Sequence, residues 1–204
     1  MDNKQFWEDR YASAPKIWSG KVNQPLIDFV KDLKPGNALD LGCGEGADSL
    51  WLAKNGWHVT AVDISQNAVD KVNKNAESLG LTGSIKAIAI DLSSNFPTGN
   101  YDLVIAMYFH SPKAFDRTKV LKKALSSVTP GGIMFIVEHA DTPPWSKHKH
   151  AFSDLKSAEE SLELLNANND KWQTIFVGKK LRETTSPSGD IVEIYDNIIA
   201  LKKL

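Results

Sequence analysis

The chain has 204 residues and a formal net charge of −1, with 42% hydrophobic and 24% charged residues, values that suit one globular domain with a substantial core. This charge balance argues against a nucleic-acid-binding protein, which usually carries a basic patch or a high pI, and the apolar runs are too short to span a bilayer. Because the first residues lack the apolar core of a signal peptide and the single cysteine excludes an intramolecular disulfide, we expect a cytoplasmic protein without membrane contact.

Two helices are predicted before the main folding pattern begins. The first is expected over residues 6–12 and ends before Pro15. After a loop over residues 13–22, Asn23 is expected to cap a second helix that runs to about residue 32, with Pro25 in its first turn. The Lys34-Pro35-Gly36 segment then breaks the chain.

Strands and helices alternate from residue 37 onward. Strands are predicted over residues 38–41, 57–62, 84–90, 101–107 and 133–138. Helices are predicted over residues 47–55, 65–79, 114–128 and 157–166, with a stop at Pro130-Gly131-Gly132 after the third of them. Such alternation predicts a parallel sheet covered by helices on both faces. The last two strand-like stretches, residues 172–179 and 191–202, predict an antiparallel hairpin at the sheet edge, joined by a polar loop over residues 186–189.

A glycine-rich loop follows the first of these strands and reads Gly42-x-Gly44-x-Gly46. Side chains at these positions would block a ligand or forbid the turn, so the loop predicts a ligand crevice at the carboxyl end of the strand. The spacing differs from the G-x-G-x-x-G fingerprint of dinucleotide-binding proteins. The flanking acids Asp40 and Glu45 suit a ligand with an ammonium or sulfonium group better than a pyrophosphate.

Acidic residues also end the next strands. Asp63 ends the second strand, where a carboxylate accepts hydrogen bonds from ribose hydroxyls; alternatively it serves the start of the following helix. Asp91 and Leu92 end the third strand, and Met107 ends the fourth. Because parallel strands end at one edge, these residues are expected to face one crevice.

Five segments together resemble the class I S-adenosylmethionine-dependent methyltransferases. They are Leu39-Asp40-Leu41-Gly42-Cys43-Gly44-Glu45-Gly46, Val62-Asp63-Ile64-Ser65, Asp91-Leu92, Tyr101-Asp102-Leu103-Val104 and Thr129-Pro130-Gly131-Gly132. The resemblance implies an α/β, Rossmann-like seven-stranded, mostly parallel sheet with helices on both faces and an antiparallel C-terminal edge hairpin. It also implies a single domain, in which residues 1–33 form a helical lid segment and residues 37–204 form the core.

The resemblance further implies S-adenosylmethionine as cofactor and S-adenosylhomocysteine as product. The residues it assigns to the cofactor site are Asp40, Gly42, Cys43, Gly44, Glu45, Gly46, Asp63, Ile64, Asp91, Leu92 and Met107. Asp40 would lie near the methionine ammonium, Asp63 would accept from the ribose hydroxyls, and Asp91 from the adenine amine. Cys43 is interpreted as a packing residue of this loop and not as a nucleophile.

Methyl transfer from a sulfonium is an in-line displacement that depends mainly on positioning, so no general base is assigned. The candidates for the acceptor side are Tyr11, Trp18, Tyr108, His110, His139 and Arg182. Aromatic residues near the N-terminus could form a lid over the sulfonium, although Trp18 could equally serve packing alone. His110 is interpreted as structural, and Arg182 could equally be a salt-bridged surface residue.

The acceptor class stays open between a thiol, a metalloid oxyanion and another small nucleophile. The fourth strand ends in Ala106-Met107-Tyr108-Phe109 and not in an Asn/Asp-Pro-Pro-Tyr motif, which argues against nucleic-acid amino groups. The segment Lys180-Leu181-Arg182-Glu183-Thr184 is similar to enzymes of the tellurite-resistance and thiopurine type. Tellurite methyltransferases carry His-Arg where this chain has Leu181-Arg182, and a further Arg near the position of Asp190. An oxyanion acceptor would need those cations.

Two other functions remain as alternatives. An NAD-dependent oxidoreductase is disfavoured by the glycine spacing and by Glu45. A non-catalytic cofactor-binding protein is compatible with the same fold, since a fold does not fix chemistry. No metal site is predicted, because His148 and His150 lack a neighbouring Cys or acid pattern. The sequence does not indicate an oligomeric state.

Overall fold

Helices and strands alternate along this computed structural model, which describes residues 1–142, 156–167, 169–186 and 188–204. The described helices are α1 Asn3–Ala12, α2 Gln24–Val30, α3 Ala47–Lys54, α4 Gln66–Ser78, α5 Arg117–Ser126 and α6 Ala158–Leu165. The strands are β1 Asn37–Leu41, β2 His58–Asp63, β3 Ile85–Ala89, β4 Tyr101–Met107, β5 Val128–His139, β6 Trp172–Thr185 and β7 Ile191–Lys203. None of the described helices has the length and apolar content of a membrane span.

The strands form one seven-stranded sheet in the order β3-β2-β1-β4-β5-β7-β6. The first five in this order are parallel to each other, whereas β7 is antiparallel to both β5 and β6. The predicted mostly parallel sheet with a C-terminal hairpin is therefore confirmed. The direction of winding reverses between β1 and β4, and a crevice at the carboxyl ends beside such a switch point is where open α/β sheets bind ligands.

Alternating side chains of the central strands build a core on each face of the sheet. Leu103 and Ile105 of β4 pack on one face with Phe135, while Val104 and Ala106 pack on the other. Burial on both faces explains why these strands read as continuous apolar runs. The sheet and its two cores hold the strand ends in place, so side chains at those ends have fixed positions.

Helix boundaries follow their caps. Asp2 caps α1 by accepting from the Gln5 amide, so this helix begins before the predicted residue 6. Asp116 caps α5, which begins at Arg117 and not at residue 114. Asn23 precedes α2 as predicted, but its side chain makes no capping hydrogen bond and α2 ends at Val30. Ser65 caps α4 as predicted, by accepting from the Ala68 amide.

Two strand predictions were too short. The strand predicted from residue 133 begins at Val128, where β5 already pairs with β4, and the pairing resumes at Ile133 after a shift in register. The helix α5 ends at Ser126, so the Pro130-Gly131-Gly132 segment that was expected to stop it lies within β5. Gly131 has a φ of 79°, a conformation that glycine adopts without strain and that such a bulge requires. The strand β6 continues to Thr185, which places Arg182 within the sheet, opposite Ile194. Pro187 of the connecting loop lies outside the described residues.

Candidate cofactor and acceptor site

A cavity of about 1480 Å³ opens at the carboxyl ends of the parallel strands. Sites for one small molecule usually measure about 300–1,000 Å³, so this cavity has room for two ligands. Its lining includes these residues predicted for the cofactor: Asp40, Gly42, Cys43, Gly44, Glu45, Asp63, Ile64, Asp91, Leu92 and Met107. It also includes these acceptor-side candidates: Tyr11, Trp18, Tyr108, His110, His139 and Arg182.

The glycine loop needs glycine both for its backbone conformation and because neighbouring side chains leave no room for a Cβ. A Cβ on Gly42 would lie 2.5 Å from the Phe109 ring, and one on Gly44 would lie 2.9 Å from the Tyr11 hydroxyl; both residues have positive φ. Gly46 also has positive φ, but a Cβ there would meet Val72 at 2.8 Å. Gly46 thus serves the turn and the packing beside α4. It is not among the described residues that line the cavity, and its contact with the cofactor stays a prediction.

Asp63 connects the glycine loop to the start of α4. Its carboxylate accepts from the Gly44 amide at 2.9 Å and from the Ser65 amide at 3.0 Å. Burial raises the pKa of Asp63 to about 6, while the amides of Ser65 and Gly44 act in the opposite direction. A carboxylate offers about four acceptor positions. Asp63 thus supports the helix start, which is one of the two roles considered from the sequence, and it also faces the cavity. Its role toward ribose hydroxyls stays a prediction.

Asp40 lies at the base of the same crevice. The Ser49 hydroxyl donates to it at 2.6 Å. Burial and the nearby Asp48 raise the pKa of Asp40 well above its ordinary value. Asp48 is itself held by the amide and side chain of Asn23, at 2.8 and 2.7 Å. A cationic group bound beside Asp40 would favour its ionised form.

Glu45 has partners that the sequence did not indicate. Its carboxylate accepts from the amides of Ile17 and Trp18, each at 2.9 Å, and from Lys71 Nζ at 2.9 Å. Burial would raise the pKa of Glu45, but the hydrogen bonds from Trp18, Lys71 and Ile17 outweigh it and leave the pKa lowered. Glu45 therefore lines the cavity but holds the loop over residues 13–22, instead of presenting a free carboxylate to a ligand.

The N-terminal segment lies over the glycine loop. Trp18 Nε1 donates to the Tyr11 hydroxyl at 3.2 Å, and both side chains approach Gly44. Trp18 remains 47% exposed, which disfavours simple core packing as its role. Glu8 of α1 accepts from the Ser65 hydroxyl at 2.6 Å and the Gln66 amide at 2.9 Å, so α1 is docked on the start of α4.

Four side chains, which we call the Asp196 cluster, lie together at the ends of β4 and β5 and on the hairpin: Tyr108, His139, Arg182 and Asp196. The first three line the cavity, and Asp196 is buried behind them. The Tyr108 hydroxyl donates to Asp196 Oδ2 at 2.8 Å, and Arg182 Nε donates to the same oxygen. His139 stacks on Tyr108 with ring centroids 4.4 Å apart, and its Nδ1 lies 3.9 Å from Asp196 Oδ1. Tyr108 has a φ of 51°, a strained value for a non-glycine residue of the kind found at functional sites.

Sequence reasoning missed Asp196, although one signal was available. Asp196 and Asn197 interrupt the apolar run of β7, and both are 1% exposed. Buried polar residues in a strand require partners. The pairing of β5 with β7 places Asp196 directly opposite His139, and only this register reveals the cluster.

A second buried ion pair adjoins the cluster. Arg117 pairs with Glu138, Arg117 Nε donates to the Phe109 carbonyl at 2.7 Å, and Ser161 donates to Glu138 at 3.0 Å. His110 lies nearby. Its burial and, to a smaller extent, the positive charge of Arg117 lower its pKa to about 3. His110 is therefore a neutral side chain at physiological pH, and the sequence did not indicate the ion pair.

Metal binding receives no support from the part of the chain that the structure describes. Within it, no group of three or more His, Cys, Asp or Glu side chains is arranged to hold a metal ion. His148 and His150 lie outside the described residues. Burial raises the pKa of the Cys43 thiol well above its ordinary value, which fits a packing role for this residue and not a nucleophilic one.

Residues 38–132 match a protein family described as a methyltransferase domain. Ribosomal RNA small subunit methyltransferase C of Alcanivorax borkumensis is 32% identical over 136 residues, which are 63% of this chain and 40% of that protein. The probable S-adenosyl-L-methionine-dependent methyltransferase TehB of Haemophilus influenzae is 30% identical over 101 residues, which are 47% of this chain and 35% of that protein. The matches thus span less than half of each relative.

Solved structures share the fold. The crystal structure of TehB from Haemophilus influenzae superposes with a TM-score of 0.72 and 22% identity, covering 97% of this chain and 67% of that one. The N-methyltransferase NodS from Bradyrhizobium japonicum, in complex with S-adenosylhomocysteine, superposes with a TM-score of 0.70 and 16% identity, covering 99% of both chains. At these identities the superpositions establish the fold alone.

The strand order, with a glycine loop and acidic residues at the strand ends, belongs to the Rossmann-like fold that this chain shares with those methyltransferase structures. The family match and the TehB relationship confirm the resemblance seen in the sequence. Residues 38–132 thus match a methyltransferase domain, and the chain is similar to the probable S-adenosyl-L-methionine-dependent methyltransferase TehB in sequence and in fold.

The cofactor of this class is S-adenosylmethionine, and the crevice fits it in three respects. Asp63 faces the cavity with capacity to accept from hydroxyl groups. Asp40 is a buried carboxyl whose ionised form a cationic ligand would stabilise. Ile64 and Leu92 add apolar surface for a planar base.

Proposed function

We propose that the protein transfers the methyl group of S-adenosylmethionine to a small-molecule acceptor. The observation that carries this proposal is one cavity of about 1480 Å³ that is lined both by the glycine loop and by Tyr108, His139 and Arg182 of the Asp196 cluster. A concave site of this kind favours a small molecule over a macromolecular surface. The net charge of −1 favours an acceptor other than nucleic acid, although one relative is named as a ribosomal RNA methyltransferase.

In this proposal the protein mainly positions two reactants and excludes water. When bound, the cofactor supplies a methyl group that is attached to a cationic sulfur. After the transfer, this sulfur leaves as a neutral thioether. Asp63 and the glycine loop hold the ribose and methionine parts, while Tyr11 and Trp18 cover them from solvent. Tyr108 and His139 form the surface against which the acceptor lies. Well-oriented reactants gain effective molarities on the order of 10⁵ to 10⁸ M, so positioning alone accounts for a large acceleration.

Cofactor binding is the first test. We expect S-adenosylhomocysteine to raise the melting temperature, because a ligand at about 100 times its Kd stabilises the folded state by about 2.7 kcal/mol. Differential scanning fluorimetry with S-adenosylhomocysteine, S-adenosylmethionine and NADH separates the candidate cofactors. A shift with NADH alone would favour the oxidoreductase alternative, and no shift with millimolar S-adenosylhomocysteine would contradict the proposal.

The ligand-induced shift should also depend on pH. Because folding raises the pKa values of Asp40 and Asp63 above the ordinary value of 3.8, their protonation stabilises the ligand-free protein at low pH. That contribution is lost as the pH rises through about 6, where Asp63 ionises. A ligand with an ammonium group and hydroxyl donors favours both ionised forms. We therefore expect a larger melting shift with S-adenosylhomocysteine at pH 7.5 than at pH 5, and a smaller pH dependence in Asp40→Asn.

Turnover is the second test. Release of S-adenosylhomocysteine should be measured against a panel of thiols, hydroxyl compounds, small amines and metalloid oxyanions, with ribosomal RNA included as a macromolecular arm. Turnover with a small molecule is the expected result. Cofactor binding without turnover of any acceptor would favour the non-catalytic alternative, and turnover of RNA alone would replace the small-molecule part of the proposal.

A further inference from the structure

The Asp196 cluster places a full negative charge directly behind the acceptor wall. Asp196 is 1% exposed, whereas Tyr108, His139 and Arg182 line the cavity in front of it. One carboxylate oxygen accepts from both the Tyr108 hydroxyl and Arg182 Nε. The Arg182 guanidinium also lies 5.6 Å from the centre of the Tyr108 ring. These contacts fix the orientation of the wall that faces the acceptor.

The charges within this wall cancel. Arg182 is 21% exposed and is paired with the buried Asp196 carboxylate, so its positive charge has a counter-charge inside the protein. Burial raises the pKa of Tyr108 and, despite the nearby Asp196, lowers that of His139. Both side chains are then uncharged at neutral pH. The wall can donate and accept hydrogen bonds, but it presents no net positive charge.

The rest of the described cavity offers little compensation for a bound anion. Arg117 is paired with Glu138. The remaining cationic residues of the lining are exposed at its rim: Arg10, Lys21 and Lys156. Recognition of an oxyanion depends on charge-assisted hydrogen bonds from cations whose charge is not already neutralised. An anion placed beside Arg182 would have to compete with the buried Asp196 carboxylate.

We propose that Asp196 is a positioning residue that makes the acceptor side select an uncharged nucleophile, such as a thiol, hydroxyl or amine, over an oxyanion. This inference rests on the proposed function and names its substrate class. The lone pair of the acceptor forms the new bond to the methyl carbon, the electron pair of the broken bond stays on sulfur, and the acceptor proton passes to water. Asp196 contributes by neutralising Arg182 and by holding Tyr108 against His139.

The variant Asp196→Asn tests the inference because it keeps the size of the side chain and removes its charge. In the wild type, selenite is expected to leave the melting temperature unchanged relative to chloride of equal ionic strength. In Asp196→Asn, the uncompensated Arg182 should bind selenite and raise the melting temperature in a concentration-dependent manner. The ratio of kcat/KM for uncharged over oxyanion acceptors should fall by about 10-fold or more, the effect of losing or gaining one charge-assisted hydrogen bond.

Two further variants separate charge from packing. The double variant Asp196→Asn/Arg182→Gln removes both charges and should lose the response to selenite. Asp141→Asn makes the same substitution at an exposed carboxylate 4.0 Å from Lys179, and it should behave as the wild type. If Asp196→Asn does not fold, Arg182→Gln is compared directly with the wild type. The inference predicts that selenite leaves the melting temperature of both proteins unchanged.

The inference and the proposed function would be contradicted by different experimental results. Failure of the wild type to bind S-adenosylhomocysteine would contradict the proposed function, whereas the selenite measurement reads the cluster without cofactor. Stabilisation of the wild type by selenite that is lost in Arg182→Gln would overturn the inference. Preferential turnover of an oxyanion by the wild type would overturn it as well, and would leave methyl transfer itself intact.

Discussion

Replacement of Asp63 with alanine is expected to weaken S-adenosylhomocysteine binding by at least about 100-fold. Hydrogen bonds to a charged group contribute about 1.5–3 kcal/mol each, and each 1.4 kcal/mol is a factor of ten in affinity, so the loss of two ribose contacts is sufficient. The change also removes the acceptor for the Gly44 and Ser65 amides. The glycine loop would then lose the link from Gly44 through Asp63 to the start of α4, and would keep the ion pair between Glu45 and Lys71. Isothermal titration calorimetry measures the affinity directly.

Two variants make this result interpretable. Asp63→Asn keeps one carbonyl acceptor and should give an intermediate affinity. Asp70→Ala removes an exposed carboxylate of α4, whose side-chain partner is Gln66, and should bind as tightly as the wild type. A folded Asp63→Ala protein that binds within about 5-fold of the wild type would exclude Asp63 as the ribose acceptor.

The cofactor side of the cavity could be predicted from the sequence because its residues are local in the chain. Each predicted residue lies at or just after the end of a strand, and a parallel sheet brings those ends together whatever the exact register. Asp40, Asp63 and Asp91 therefore reach one cavity. Gly46 departs from this pattern because the turn into α3 directs it toward Val72.

The acceptor side could be predicted only in part because it depends on contacts between distant residues. Tyr108 and Asp196 are 88 residues apart in the chain, and they meet only through the pairing of β5 with β7. The sequence indicated Tyr108, His139 and Arg182 individually, but no local pattern reveals which carboxylate joins them. The buried ion pair of Arg117 and Glu138 escaped prediction for the same reason.

The role of Glu45 could not be predicted from the sequence for another reason. Its position in the glycine loop suggested a direct role toward a cationic ligand, yet its partners come from the loop over residues 13–22, which has no regular structure. The sequence of such a loop does not determine where its amides point. The structure thus assigns to Glu45 the attachment of residues 13–22 to the glycine loop.

Replacement of Glu45 with alanine is expected to release residues 13–22 from the glycine loop. The carboxylate accepts from the Ile17 and Trp18 amides and from Lys71, and its removal leaves these half-buried donors without their acceptor, at a cost of about 1–3 kcal/mol for each buried group. Amide hydrogen exchange at Ile17 and Trp18 should accelerate by about 10- to 100-fold, since protection follows the free energy of local opening. Dissociation of S-adenosylhomocysteine should accelerate in parallel.

The comparison with Asp28→Ala shows whether this effect is local. Asp28 is an exposed carboxylate that lies 3.5 Å from Lys180, and exposed pairs contribute about 0–1 kcal/mol, so its removal should alter neither exchange nor dissociation. Glu45→Gln keeps one acceptor oxygen without charge and should fall between alanine and the wild type. If exchange accelerates in Glu45→Ala while the dissociation rate stays at the wild-type value, then residues 13–22 do not retain the cofactor, and Trp18 serves the acceptor side alone.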